Sequence, residues 1–240
     1  MAAAPHISKI AMAKHDLVPH VLSKDVDFDY SVKVEWPETD LENPGQELDR
    51  EKTQPQPKVF LDPPPPESLD NLVLIMTDPD LMMENDTYFG QVRHWLVSGL
   101  TSKLDGSLLG YGQTSDISPY VGPAPLPNYL YSRPHRYVFI VARAPSGDVT
   151  ITPEDLRALQ EPYKAAVAGK QGEVQDLKDR WGFNALELIE KKGLKIEGVS
   201  YMRVGGSLKS AGANAAMMGQ AVVDKVSIQT SSLDVEQCAD

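Results

Sequence analysis

The chain has 240 residues, enough for one sizeable core, and its 23 Lys+Arg against 34 Asp+Glu give a formal net charge of -11 and a pI near 4.9. That balance argues against non-specific binding to nucleic-acid phosphates or anionic lipid surfaces, though a local anion site is compatible with it. The single cysteine, Cys238, allows no intrachain disulfide, and no apolar run approaches the roughly 18 residues of a membrane span, so the expectation is a cytoplasmic protein without one. The N-terminus, interrupted by Pro5, His6 and Lys9, lacks the continuous apolar stretch of a secretory signal.

In chain order, residues 1–24 read as a lead-in segment with a short helix that packs on the main body, 25–226 as one domain, and 227–240 as a disordered tail. From Asp25 to Glu35 apolar and polar residues alternate, which predicts a half-buried strand. Asp25, Asp27 and Asp29 imitate a calcium loop, but Tyr30 and Trp36 stand where Gly and Glu would be needed. The acidic, proline-bearing 37–57 stretch reads as an exposed loop insertion, and Val59–Leu61 as a brief strand before the Pro63–Pro66 run.

Leu72–Thr77 is apolar at nearly every position and therefore predicts a central strand covered on both faces. It runs directly into Asp78-Pro79-Asp80. A second buried strand starts at His94-Trp95-Leu96-Val97, Asp105-Gly106 marks a hairpin, and a third apolar strand spans Arg136–Arg143. Between them Tyr120–Pro127 is too rich in proline to pair inside a sheet and predicts an exposed loop over a sheet edge or end. Thr152-Pro153-Glu154-Asp155 carries the signature of a helix start. A second helical region is expected over Gln175–Lys192, stopped by Gly193, and strand character returns at Lys195–Val204.

Taken singly, Asp-Pro-Asp is a turn and a histidine at a strand start is most often structural. Together, Asp78, Asp80, His94 and His135-Arg136-Tyr137 lie at the ends of strands whose burial would collect them. Two close carboxylates need donors, and the imidazoles, guanidinium and phenol are the groups able to supply them.

Four ordered blocks carry a family likeness: Thr77-Asp78-Pro79-Asp80, Arg93-His94-Trp95-Leu96-Val97, Tyr120-Val121-Gly122-Pro123-Ala124-Pro125 and Pro134-His135-Arg136-Tyr137-Val138-Phe139. In these the chain resembles the phosphatidylethanolamine-binding protein family, which includes kinase-inhibitor, carboxypeptidase-inhibitor and plant flowering-regulator members. The resemblance implies a mainly β fold with α-helices near the C-terminus, a β-sandwich in which a large central antiparallel sheet packs on a smaller one. It also implies a small pocket for a phosphate-like or carboxylate anion lined by Asp78, Asp80, His94, Gly122, Pro125, His135, Tyr137 and Tyr201. Arg136 is read as a structural partner of the aspartates. Where the family has Ala-Pro after the second aspartate, this chain has Leu81-Met82, which reshapes that wall.

The functional expectation is an anion or phospholipid head-group pocket on a regulator or inhibitor of a partner protein, such as a protease or kinase, with no cofactor and no nucleic acid. Protonated or donor-oriented His94 and His135, the Tyr137 hydroxyl and loop N–H groups would hold the anion, best at mildly acidic pH. The alternative is an enzyme or accessory protein of small-molecule biosynthesis that uses the same Asp/His/Tyr pocket on a carboxylate or anhydride. A metal-dependent version with His94, His135 and one aspartate as ligands comes third, since no compact ligand spacing supports it. No nucleophile elbow, phosphate loop or dinucleotide fingerprint occurs in the sequence.

Overall fold

The computed structural model describes residues 5–81, 83–112, 116–125, 133–145, 147, 149–164 and 179–206. Helix α1 (Pro5–Lys14) is followed by strands β1 (Tyr30–Glu35), β2 (Asp40–Leu41), β3 (Gln46–Leu48), β4 (Lys58–Asp62), β5 (Leu72–Asp78), β6 (Val92–Ser102), β7 (Leu108–Leu109), β8 (Asp116–Ser118) and β9 (His135–Arg143). Helices α2 (Pro153–Gln160) and α3 (Ala185–Lys192) precede β10 (Lys195–Val204).

A strand that is apolar on both faces has to be covered on both, and β5 is buried at every position. It lies between β6 and β9, antiparallel to each, in a sheet of order β2-β1-β10-β9-β5-β6-β7, with β4 on β1, β3 on β10 and β8 on β6. Among the described strands only β1 and β3 run parallel to their neighbour β10. The smaller β1/β2/β4 layer curls over one face of the large β10-β9-β5-β6 sheet. Val32, Val34, Val59 and Leu61 of the small layer share a core with Leu74, Met76, Trp95 and Phe139. The curl is pinned at the far edge, where Leu61 N donates to Gly106 O at 2.9 Å. Gly106 has φ +83, and a Cβ there would stand 2.3 Å from Leu61 O, so the Asp105-Gly106 turn requires glycine.

The other face of the large sheet is covered by α1, α2, α3 and the 17–28 segment. Met12, Leu17, Leu22, Phe28, Leu159 and Leu188 pack there on Val73, Ile75, Val138, Ile140 and Val199. Each such aliphatic side chain contributes about 1.5–3 kcal/mol on full burial. α2 begins in a full capping box, with Thr152 accepting from Asp155 N and Asp155 accepting from Thr152 N. The sandwich with helices toward the C-terminus therefore agrees with the sequence reading. None of the described helices is long and apolar enough to cross a membrane.

Three details differ. The 37–57 stretch forms β2, β3 and a short turn at Glu51–Thr53, and it buries Leu41, Leu48 and Thr53 because those side chains complete the core of the small layer. The described part of the proline loop is packed rather than exposed, with Gly122, Pro123 and Pro125 all buried. The second helical region reduces to α3, whose start is fixed by Asn184 accepting from Glu187 N. Residues 175–178 of that region and the 227–240 tail lie outside the described residues.

Candidate functional site

In an antiparallel arrangement the C-terminal end of a strand meets the N-terminal ends of both neighbours. That geometry sets Asp78, at the end of β5, beside His135 at the start of β9 and His94 near the start of β6. Asp78, Asp80, His94 and His135 are each no more than 6% exposed.

Asp78 is satisfied from two sides: Asp80 N donates to Oδ1 at 2.7 Å, and His135 Nδ1 lies 2.9 Å from Oδ2. Tyr137, two residues on from His135 and so on the same face of β9, stacks on its ring at 6.4 Å. The His94 ring meets Tyr137 edge-on at 5.0 Å. His94 Nδ1 is 2.9 Å from Val121 O, and Val121 N donates back to His94 O at 3.0 Å, which ties the proline loop to β6. Among the described residues the buried His135 Nε2 has no hydrogen-bond partner, and the Tyr137 hydroxyl makes no bond of good geometry. The polar groups bearing on that hydroxyl are the Ala124 backbone and the Asp78 carboxylate.

The electrostatics separate the two imidazoles. Burial pushes the His135 pKa down, but the charge and hydrogen bond of Asp78, with Asp80 further off, outweigh it and leave the pKa raised. For His94 burial wins over Asp78 and Val121, and the pKa is lowered. Burial raises Asp78, yet His135, His94 and the Asp80 amide bring its carboxyl below the ordinary value. Burial, reinforced by the Asp78 charge, lifts the Tyr137 hydroxyl well above its usual range. The Asp78 carboxylate thus favours the imidazolium form of His135, while burial favours the neutral forms of His94 and Tyr137. Of the two forms expected for His94, protonated or donor-oriented, burial disfavours the protonated one, since Asp78 is engaged by His135.

Asp80 belongs to a second, adjoining pair. Arg136 Nε donates to its Oδ2 at 2.8 Å, Arg136 NH2 to its Oδ1, and the backbone N–H groups of Arg136 and Asn85 add bonds of 2.9 and 3.0 Å. The guanidinium also reaches Asn85 Oδ1 and the His15 carbonyl. Arg136 points to the α1 face while His135 and Tyr137 point to the other, so it is the structural partner of Asp80 and not a lining group.

Gly122 and Pro125 are buried in the loop held by Val121. Tyr201 is not brought to the cluster. Residues directly opposite in a ladder share a face, and Tyr137 pairs with Met202, so Tyr201 pairs with Val138 and points to the α1 side. Its hydroxyl donates to Ala11 O at 3.1 Å, and burial raises its pKa to about 12 against the pull of Arg203 and Arg136.

Sequence reasoning missed the residues that hold the loop. Gln54 Nε2 donates to Pro123 O at 2.9 Å, and its side chain packs so closely on Gly122 that a Cβ there would lie 2.8 Å from Gln54 Oε1. The Tyr120 hydroxyl donates to Thr53 O at 2.6 Å and accepts from Trp36 Nε1 at 3.2 Å. From behind, Arg180 NH1 donates to His94 O and Pro119 O at 3.1 and 2.9 Å. Only the close approach to Gly122 leaves a trace in the sequence, as a glycine between Val121 and Pro123. Among the described residues no group of three or more His, Cys, Asp and Glu side chains is arranged to hold a metal ion.

The profile of the phosphatidylethanolamine-binding proteins matches residues 38–178, more than half the chain and nearly the whole cluster just described. The chain belongs to that family. A curated relative, an uncharacterized protein of Saccharomyces cerevisiae, is 28% identical over 141 residues, which cover 56% of this chain and 68% of its own. Among solved structures, a carboxypeptidase Y inhibitor complexed with its cognate proteinase superposes with a TM-score of 0.60 at 16% identity, covering 85% of this chain and 97% of that one. The phosphatidylethanolamine-binding protein from Plasmodium vivax gives 0.57 at 21% identity, covering 85% and 100%. The Plasmodium falciparum protein gives 0.52 at 24%, covering 84% and 98%. These likenesses fix the fold of the family on this chain.

Proposed function

We propose that the Asp78/His94/His135/Tyr137 cluster, with the Gly122–Pro125 loop, is a pocket for a small oxyanion on a non-enzymatic protein that regulates or inhibits a partner protein. The observation that carries the pocket is the buried His135 Nε2, without a hydrogen-bond partner among the described residues, beside the Tyr137 hydroxyl. An imidazolium N–H with nothing to donate to is costly, and a bound oxyanion relieves that cost. Membership of the family supports phosphate, a phospholipid head group or a carboxylate as ligand. The likeness of fold to an inhibitor held by its proteinase is the ground for a protein partner.

Calorimetric titration with phosphate at pH 6 is expected to give saturable binding that His135→Gln abolishes and Tyr137→Phe weakens. No saturable binding to the native chain, or full affinity in both variants, would overturn the reading. One observation favours a second reading: a His135 pKa pushed up beside a His94 pKa pushed down is the pattern of an acid and base set for proton transfer. Turnover of a carboxylate or anhydride substrate that disappears in His94→Gln with the fold intact would establish it.

A further inference from the structure

Arg93, next in the chain to His94, carries its side chain to the helix-covered face of the large sheet, where Cζ of the guanidinium lies 5.6 Å from the centre of the Phe183 ring. One edge of the guanidinium is filled: Nε donates to Ser118 Oγ at 2.6 Å and NH2 to Asp179 O at 3.0 Å. The backbone at its root is fixed as well, since Arg93 N donates to Arg180 O at 2.8 Å. The group is thus held on a face and an edge. NH1 is left over, buried and without a hydrogen-bond partner among the described residues.

The charge is answered no better than the N–H. Arg93 is 5% exposed and has a second buried guanidinium, Arg180, as its neighbour. The groups that touch Arg93 are a hydroxyl, a backbone carbonyl and an aromatic ring, all neutral. Asp179, whose charge bears on it, is an exposed residue that bonds to Arg93 through its carbonyl and not its carboxylate. Burial and the charge of Arg180 push the Arg93 pKa down to about 10, against the pull of Asp179, so the group is a cation at neutral pH. A cation taken out of water without a counter-charge is costly. A water molecule at NH1 would satisfy the N–H and leave the charge, whereas an anion answers both.

We propose that Arg93 NH1 holds a halide ion, chloride or bromide, at a site on the opposite face of the sheet from the Asp78/His135 cluster. The one nitrogen left over selects the class. Phosphate and carboxylate are matched by a two-nitrogen fork of a guanidinium, and here Nε and NH2 are already engaged. A monatomic, singly charged anion is matched by one donor nitrogen. Fluoride, more strongly hydrated than chloride or bromide, loses more hydration on entering a buried site and is disfavoured. The halide holds the guanidinium that joins Ser118 and the Asp179 carbonyl to the start of β6, and it does so whichever ligand the oxyanion pocket takes.

The test uses the full chain in sodium gluconate, with sodium chloride exchanged in at constant ionic strength so that screening does not change. Chlorine NMR linewidths are expected to show saturable broadening that bromide displaces and fluoride does not. The unfolding constant at fixed urea is expected to fall at least about threefold between zero and about 150 mM chloride. His135→Gln should keep both effects and Arg93→Met should lose both. Bromide-soaked crystals of the native chain give a readout that needs no variant, with anomalous density expected against Arg93 NH1. No saturable broadening by the native chain, chloride effects that survive Arg93→Met or vanish in His135→Gln, or no bromide density at NH1 overturns the inference. Each of these results leaves the oxyanion pocket standing.

Discussion

Arg136→Met isolates the pair that anchors the site. The substitution removes the donors Nε and NH2 from Asp80, whose carboxylate, 6% exposed, keeps among the described residues the backbone N–H groups of Arg136 and Asn85. It also strips a donor from Asn85 Oδ1 and from the His15 carbonyl on the α1 side. Leaving one member of a buried ion pair uncompensated costs about 3–5 kcal/mol. At about 2–4 °C per kcal/mol for a domain of this size, the midpoint should fall by roughly 6–20 °C. Urea and thermal unfolding followed by circular dichroism would read the loss. Adding Asp80→Asn removes the stranded charge while its amide oxygen still accepts a backbone N–H. The double variant should therefore be more stable than Arg136→Met alone by about 1–3 kcal/mol. A loss under ~1 kcal/mol in Arg136→Met, or further destabilisation on adding Asp80→Asn, would refute the reasoning.

Other outcomes follow from the same geometry. Tyr201→Phe deletes the bond to Ala11 O and should cost about 0.5–1.5 kcal/mol without touching anion affinity, whereas Tyr137→Phe deletes a hydroxyl that makes no bond of good geometry and should weaken the anion with a smaller effect on the urea midpoint. Gly122→Ala forces a Cβ to within 2.8 Å of Gln54 Oε1 and, by overpacking, should cost about 1–3 kcal/mol and weaken phosphate with it. Gln54→Ala in the same background, which vacates the clashing side chain, should recover part of the stability. Within the cluster three groups contribute to the pH dependence of stability. Asp78, lowered on folding, stabilises above 3.8 and loses that as pH falls through its folded pKa. His135, raised on folding, stabilises fully below 6.5 and loses that as pH rises through its folded pKa, while His94, lowered on folding, costs stability as pH falls below 6.5. Urea midpoints measured across that range should lose their alkaline decline in His135→Gln and, separately, the decline below 6.5 in His94→Gln.

Much of the fold was legible because β5, β6 and β9 announce themselves by unbroken apolar runs, and because a capping box or an Asp-Gly turn acts locally, as Thr152 and Gly106 do. The strand-end cluster was legible for the same reason: once three buried strands must be neighbours, the polar residues at their ends are brought together. Tyr201 was not, since its face depends on a one-residue register between β9 and β10 that no local signal sets. Nor was the packing of 37–57, whose prolines and acids hide Leu41, Leu48 and the contact of Gln54 with the loop. The protonation of His94 also escaped, because it depends on which imidazole the buried Asp78 faces, a matter of tertiary geometry rather than residue type.

The central claim is that a charged His135 presents an unpartnered Nε2–H to an oxyanion while His94 stays neutral. Nitrogen-detected NMR of the two imidazoles across pH, without and with saturating phosphate, tests it directly. The account predicts that His135 titrates above 6.5 and His94 below it in the free protein, and that the ligand raises the His135 value further and shifts its Nε2 resonance. Two imidazoles that titrate together near 6.5, with neither moved by the ligand, would contradict it.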